Sequence, residues 1–173
     1  MKQWTLAVAL AAVAAVSAGV MAQQKKATLT ALDYAEINQL YIRYNYGIDT
    51  HGDNGMMWAG SFTQDGVFDL GGGKTFVGRE ALLGFAHGAG KSNNTAPHHF
   101  ATNIRIEPSP EGAVGSAYFF NVPTPEPGRP AAITQTGTYE DIIVKTPEGW
   151  RFKVRKFHTN ALPPSMMGQV SAR

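Results

Sequence analysis

Four strand-length segments joined by short, turn-like stretches constrain the fold of this 173-residue sequence more than any other feature. The segments cover residues 98–106, 114–122, 131–145 and 150–158. Proline and glycine mark the joins between them, at 107–112, 123–130 and 146–149. Strands that follow one another through short joins pair side by side, so the second half of the chain predicts an antiparallel meander.

Helical signals precede these strands. Apolar residues recur at helical spacing over residues 33–49, after a hydroxyl cap at Thr30 and an acid at Asp33, which predicts an amphipathic helix. Shorter helices are predicted over 54–62 and 79–87. Helices followed by a long curved antiparallel sheet define an α+β design, here a cone-shaped barrel. A sheet that wraps a helix leaves a conical cavity, and such mouths are common ligand sites.

Turns and loops complete the first half of the chain. A turn at 63–66 and a glycine-rich hairpin turn at 71–75 enclose a predicted strand over 67–70, and 76–78 forms a second short strand. Residues 88–96 are rich in glycine and asparagine and are either a lid or a plain connector.

Several ligand classes find no support in the sequence. The Gly71-Gly72-Gly73-Lys74-Thr75 string is not a phosphate loop, because the motif needs a glycine at position 68 and phenylalanine stands there. Basic residues are spread thinly at a formal net charge of +2, so nucleic acid is not expected as a partner. The histidines match no metal-ligand spacing, and we expect neither a metal nor another cofactor. They are His51, His87, His98, His99 and His158.

Residues 1–22 predict a secretory signal peptide, with a positive start at Lys2, an apolar run over 6–20 and small residues before a cleavage point after Ala22. The alternative is a membrane anchor, but the run is shorter than the ~20 apolar residues of a spanning helix. The chain has no cysteine and therefore no disulfide. We expect a bacterial periplasmic or secreted protein that leaves the membrane after cleavage. After the signal peptide, the chain would comprise a polar lead-in segment (23–30), one domain (31–160) and a C-terminal tail (161–173).

A few ionisable residues suit proton chemistry in the cavity. Asp49 ends the first helix, His98 and His99 begin the first long strand, and Arg155 lies on the last one. A carboxylate beside a histidine fixes its tautomer and raises its basicity, and an arginine stabilises an oxyanion or a leaving group. The Tyr44 hydroxyl can donate a hydrogen bond or deliver a proton. Together these groups favour proton abstraction followed by elimination or isomerisation.

Each of these residues also has a purely structural interpretation. Asp49 could be a turn acid, the histidines exposed strand residues, and Tyr44 a core residue on the apolar stripe. Arg155 continues a charged series that begins at Arg151. Strand alternation adds an objection, because it groups His98 with Ile104 and the apolar side. A β-bulge would reverse that grouping, so alternation alone does not decide which histidine faces inward.

Local strings along the chain carry a family resemblance. They are Ile37-Asn38-Gln39-Leu40, Ile48-Asp49, Phe62-Thr63-Gln64-Asp65-Gly66-Val67-Phe68, His99-Phe100-Ala101-Thr102-Asn103-Ile104-Arg105, Gly137-Thr138-Tyr139 and Gly149-Trp150-Arg151-Phe152. In order and spacing, over about residues 29–160, they resemble the SnoaL-like branch of the nuclear transport factor 2-like superfamily. That branch includes bile-acid 7α-dehydratase, scytalone dehydratase and hexachlorocyclohexane dehydrochlorinase.

The resemblance implies roles for four positions. The family's catalytic aspartate falls on Asp49, and its histidine falls on His99, not on His98. A basic residue of the final strand falls on Arg155, and a polar residue of the first helix falls on Tyr44. The resemblance also implies a homodimer or a homotrimer.

We therefore expect a cofactor-independent lyase or isomerase acting on a small hydrophobic or aromatic molecule. His99 would abstract a proton, Asp49 would orient the imidazole, and Arg155 with Tyr44 would stabilise negative charge. The predicted substrate-binding walls are Met57, Trp58, Phe85, Tyr118, Phe120 and Tyr139. The alternatives are a periplasmic binding or accessory domain without chemistry, and a structural dimer module.

Overall fold

The computed structural model of the protein describes residues 28–91, 97–124, 127 and 130–159. The helices are α1 (Ala31–Thr50), α2 (Met56–Ala59) and α3 (Gly78–Lys91). The strands are β1 (Phe62–Asp69), β2 (Thr75–Val77), β3 (Pro97–Ser109), β4 (Gly112–Pro123), β5 (Gln135–Thr146) and β6 (Gly149–Thr159). The predicted signal peptide, the end of the 88–96 loop and the C-terminal tail lie outside the described residues. Within these ranges no helix is long and apolar enough to cross a membrane.

The strands form one six-stranded sheet in the order β2-β1-β6-β5-β4-β3. Strands β3 to β6 are antiparallel neighbours in chain order, which confirms the predicted meander. β1 joins the free side of β6 in parallel, and β2 pairs antiparallel with β1 across the glycine-rich hairpin. The curled sheet with helices packed on it is the predicted α+β architecture.

Helix α1 begins where the sequence predicts, because Thr30 and Asp33 cap it reciprocally. The Asp33 backbone N–H donates to Thr30 Oγ1 over 3.2 Å, and the Thr30 N–H donates to the Asp33 carboxylate over 2.9 Å. The apolar stripe of the helix faces the sheet, so that Ile37, Leu40 and Tyr44 are buried.

Asp33 also fastens the start of α1 to the hairpin between β5 and β6. Its Oδ1 accepts from Lys145 Nζ at 2.8 Å and from the Trp150 indole N–H at 3.1 Å. The hydrogen bonds from Lys145, Thr30 and Trp150 hold the pKa of Asp33 well below its usual range. The carboxylate therefore fixes the first turn of α1 against the hairpin between β5 and β6.

A β-bulge in β3 decides which of its side chains face the helix. Thr102 pairs with Tyr118 and Arg105 with Ser116, so two residues of β3 lie opposite one residue of β4. Asn103, inside the bulge, has a φ of 52°, the left-handed conformation that asparagine tolerates. Because of the bulge, His99 and Ile104 lie on the same side of β3, whereas simple alternation groups Ile104 with His98.

Several predicted boundaries are wrong. Residues 63–66 are not a turn, because they continue β1, whose register with β6 shifts between Phe62 and Val67. Helix α3 runs to Lys91 and takes up part of the predicted loop. Helix α2 covers only four residues, and β5 begins at Gln135, not at 131.

The Asp33 contacts predict a pH-dependent contribution to stability. Because the folded state depresses the pKa of Asp33, this contribution is present above the unfolded pKa of about 3.9 and is lost as the pH falls further. We expect Asp33→Asn to lower the urea midpoint at pH 7, and the difference from the native chain to narrow by pH 2. Asp53→Asn, at an exposed carboxylate, is the matched control; a gap for Asp33→Asn that stays constant with pH would contradict this assignment.

Candidate active site

Asp49 and His99 meet where the last turn of α1 approaches the start of β3. The His99 backbone N–H donates to Asp49 Oδ2 at 3.0 Å, and the imidazole Nδ1 hydrogen-bonds to Asp49 Oδ1. One carboxylate thus binds both the main chain and the ring of the same histidine. The two side chains are 16% and 19% exposed, so the pair is partly shielded but reachable by a small molecule.

This geometry defines the tautomer of the neutral His99 imidazole. A carboxylate is a hydrogen-bond acceptor, so the ring proton belongs on Nδ1 and the lone pair on Nε2. The ring also lies against Phe119, with centroids 5.6 Å apart, which limits its rotation. His99 is therefore arranged as a base whose free nitrogen is Nε2.

His99 lines a cavity between α1 and the concave side of the sheet. The cavity has a volume of about 110 Å³. Its apolar walls are Ile48, Phe68, Leu70, Phe85, Phe119 and Phe157. The polar groups at its surface are His99, Tyr44, Tyr139 and Gln135. An apolar chamber with a few convergent polar groups is the usual form of a small-molecule site.

Three of the six predicted wall residues lie at the cavity wall or directly behind it. Phe85 and Tyr139 line the cavity. Trp58 is fully buried behind Tyr44 and Phe85, with ring centroids 5.4 and 5.0 Å away. It supports the wall without forming it.

The other three predicted walls are corrected by the structure. Tyr118 and Phe120 lie on the outer face of the sheet, because Phe119 between them points inward and alternation along β4 sends its neighbours outward. Met57, in the short helix α2, is 39% exposed and does not line the cavity.

Arg155 also differs from its predicted position, because it lies beneath the cavity and not at its surface. It is fully buried, and its Nε and Nη2 donate to the Asp141 carboxylate over 2.7 and 2.8 Å. The hydroxyl of Tyr41, on α1, donates a hydrogen bond to the same carboxylate. This buried triad, Arg155, Asp141 and Tyr41, joins β6, β5 and α1.

Aromatic rings enclose the Arg155 guanidinium. Its central carbon lies 3.8 Å from the Phe152 ring centroid, 4.1 Å from that of Tyr139 and 4.2 Å from that of Tyr44. Burial by itself lowers the pKa of Arg155, but the Asp141 carboxylate outweighs burial and raises it, so the side chain stays charged. Burial also raises the pKa of both Tyr44 and Tyr139, which keeps their hydroxyls protonated.

Sequence reasoning missed residues whose roles depend on tertiary contacts. Asp141 neutralises Arg155, and Tyr41 donates a hydrogen bond to that carboxylate. No local pattern in the sequence marks either residue. Phe119 could have been found, since the alternation that places Ala117 inward places Phe119 inward too. Among the described residues no group of three or more acidic or histidine side chains is arranged to hold a metal ion.

Comparison with known proteins agrees with this architecture. The family profile of the SnoaL-like domain matches residues 29–156. No curated protein matches the chain significantly. Among solved structures, an NTF2-like protein with a cystatin-like fold from Novosphingobium aromaticivorans has a TM-score of 0.68 and 17% identity, covering 79% of this chain and 87% of that chain.

Two further structures carry names that bear on chemistry. A candidate scytalone dehydratase from Novosphingobium aromaticivorans has a TM-score of 0.64 and 24% identity, covering 75% of this chain and 85% of that chain. A protein from Catenulispora acidiphila in complex with S-DNPA has a TM-score of 0.65 and 21% identity, covering 83% of this chain and 100% of that chain. At these identities the likeness shows a shared fold.

The buried triad predicts strong coupling between Arg155 and Asp141. Because either residue alone would leave an uncompensated buried charge, Arg155→Met or Asp141→Asn should each lower the free energy of unfolding by about 3–5 kcal/mol. The double variant should recover most of this loss in urea denaturation. Lys153→Met, in the exposed pair with Glu111, should leave the free energy of unfolding nearly unchanged. Additive losses in the double variant would contradict the coupling.

Proposed function

Because the chain belongs to the SnoaL-like domain family, we propose that it is a cofactor-independent lyase or isomerase for a small hydrophobic molecule. The observation that carries the proposal is the Asp49–His99 pair, whose histidine lines an apolar cavity. Its imidazole is held by a carboxylate on one side and is free to accept a proton on the other.

The proposed reaction begins with removal of a proton from carbon by His99 Nε2. The resulting imidazolium is stabilised by Asp49, which accepts a hydrogen bond from Nδ1. The electron pair left on the substrate then either forms a double bond as a leaving group departs, or shifts so that the proton returns at another carbon. The Tyr44 side chain lines the cavity, and its hydroxyl is the group suited to stabilise the negative charge. Arg155 does not line the cavity, so its positive charge acts on the substrate from beneath the cavity wall.

The comparisons support this class of reaction without naming a substrate. One structural neighbour is a candidate scytalone dehydratase, which is a dehydratase by name, and another holds the small molecule S-DNPA. The alternative is a binding or accessory domain that uses the same cavity without chemistry. The two proposals differ in whether Asp49 and His99 are needed for more than binding.

We also propose that the protein is exported, through the signal peptide of residues 1–22, and acts as a homodimer. The outer face of the sheet supports the dimer. It exposes Val114 and Ile142, at 40% and 38%, along a concavity of about 510 Å³. Arg105 and Lys156 lie there beside the acids Glu107 and Glu140, so the face can complement a second copy of itself.

The base role of His99 predicts a loss of proton transfer when its ring is removed. We expect the protein to catalyse exchange of carbon-bound protons of small cyclic ketones with deuterium oxide, measured by proton NMR. His99→Ala should slow this exchange by about 10²–10⁴-fold, because a positioned general base contributes that factor. Circular dichroism should show an unchanged fold.

The neighbouring histidine provides the matched control. His98 lies on the outer face and is exposed, so His98→Ala should exchange at the native rate. Undiminished exchange in His99→Ala would refute the base role. A native protein that binds the ketones tightly but never exchanges their protons would favour the binding domain instead.

The dimer proposal predicts that a charge in the outer face separates the copies. We expect light scattering after gel filtration to give twice the mass of one chain for the native protein and a single-chain mass for Val114→Lys. Leu32→Lys, at an apolar residue that is 64% exposed on α1, should remain dimeric. A monomeric native protein, or a Val114→Lys protein that stays dimeric, would rule out this interface.

A further inference from the structure

A row of three polar residues crosses neighbouring strands beside the cavity. His99 on β3 pairs directly with Asn121 on β4, and Asn121 pairs directly with Gln135 on β5. Residues that pair directly in a sheet share a face, with Cβ atoms about 5 Å apart. Because His99 and Gln135 both line the cavity, Asn121 lies between them on the concave face.

Gln135 also borders a second space, outside the cavity. This open concavity has a volume of about 530 Å³, against about 110 Å³ for the cavity. Its lining residues are mostly amide and hydroxyl side chains: Asn121, Ile133, Thr134, Gln135, Thr136 and Thr159. An apolar cavity of about 150 Å³ holds one benzene ring, so the inner cavity holds at most a single ring. The rest of a larger molecule can extend past Gln135 into the concavity.

Hydrogen bonds set the orientation of both amides. Thr134 Oγ1 donates to Asn121 Oδ1 over 2.6 Å, and Asn121 Nδ2 donates to Gln135 Oε1 over 3.3 Å. The Thr134 backbone N–H also donates to the Asn121 carbonyl oxygen over 3.2 Å, which holds the two residues together. An amide whose oxygen accepts from one side presents its NH₂ group on the other. The Nε2 group of Gln135 is therefore turned away from Asn121 and offers N–H donors.

The two adjoining spaces differ in the chemistry that they favour. Four phenylalanines line the inner cavity, which suits a flat apolar ring. A carbonyl group needs only N–H donors, whereas a carboxylate gains most from a cation. The described residues that line the concavity include no charged side chain. Together the two spaces favour a neutral molecule with an apolar ring at one end and an oxygen acceptor at the other.

We propose that Gln135 binds a neutral carbonyl group of the substrate while the apolar ring occupies the cavity. Asn121 and Thr134 are positioning residues that orient the Gln135 amide. The strands that carry His99 and Gln135 are two spacings, about 10 Å, apart, a gap that a ring with a short carbonyl side chain can span. This inference rests on the proposed function in placing the substrate in this cavity, and it names the substrate class.

Three probes of nearly equal shape test the carbonyl subsite. 4-Phenylbutan-2-one carries a ketone on a short chain, 3-methylbutylbenzene has a methyl group in place of the ketone oxygen, and 3-phenylpropanoate carries a carboxylate. In equilibrium dialysis, Gln135→Leu should weaken ketone binding about three- to tenfold, because a neutral hydrogen bond is worth about that factor. Binding of 3-methylbutylbenzene should change less than about twofold.

Further variants separate the hydrogen bond from side-chain shape. Gln135→Glu keeps the shape but loses the donor, so it should lose ketone affinity by a similar factor. Thr134→Val removes the donor that orients Asn121, and the ratio of ketone to hydrocarbon affinity should fall about twofold. Gln39→Leu, at an exposed glutamine on α1, is the matched control and should keep the native ratio.

Several outcomes would overturn the inference. They are a native protein that does not bind the ketone, one that binds 3-phenylpropanoate more tightly than the ketone, and a Gln135 variant with native ketone affinity. Equal loss of affinity for ketone and hydrocarbon would also overturn it, since that shows an altered cavity and not a lost hydrogen bond.

His99→Ala separates the inference from the proposed function. This variant should keep the ratio of ketone to hydrocarbon affinity while losing proton exchange, because the imidazole is not the proposed carbonyl donor. A ratio that depends on Gln135, in a native protein that never exchanges substrate protons, would support the subsite and refute the lyase.

Discussion

A charged guanidinium at the centre of an aromatic core is the interaction on which the rest of the structure depends. Arg155 is fully buried, and such a charge is tolerated only when it is paired and enclosed. Asp141 supplies the opposite charge, Tyr41 completes the carboxylate's hydrogen bonds, and flanking rings add cation–π contacts. Because these groups come from β6, β5 and α1, satisfying one charge fixes the helix on the sheet.

The same helix is held at both ends by carboxylates, and this creates the site. Asp33 ties its first turn to the hairpin between β5 and β6, and Asp49 ties its last turn to His99 on β3. With its ends fixed, the helix spans the concave side of the sheet and leaves a cavity beside Tyr44. The contact that positions the helix end also orients the proposed base.

The amount of the site that could be predicted differs from residue to residue. Asp49, His99 and Tyr44 could be identified because family spacing points to them. The structure pairs Asp49 with His99 and places His99 and Tyr44 in the lining of one cavity. Arg155 was identified as a charged group of the right strand, but its burial depends on Asp141, whose position opposite it follows only from strand register. Tyr118 and Phe120 were misplaced because composition marks aromatic residues without saying which face they occupy.

Local chemistry in the sequence determined the capped helix, the antiparallel meander and the set of residues able to move a proton. Capping, helical periodicity and short joins act over a few residues, so they can be recognised in the chain itself. The tertiary structure decided the point on which strand alternation and family spacing disagree, namely which of the two histidines faces the cavity. Simple alternation favours His98, but the bulge at Asn103 adds one residue to β3 and reverses the count, so that His99 turns inward. Pairing with β4 stabilises that bulge, and strand pairing is a contact between distant parts of the chain.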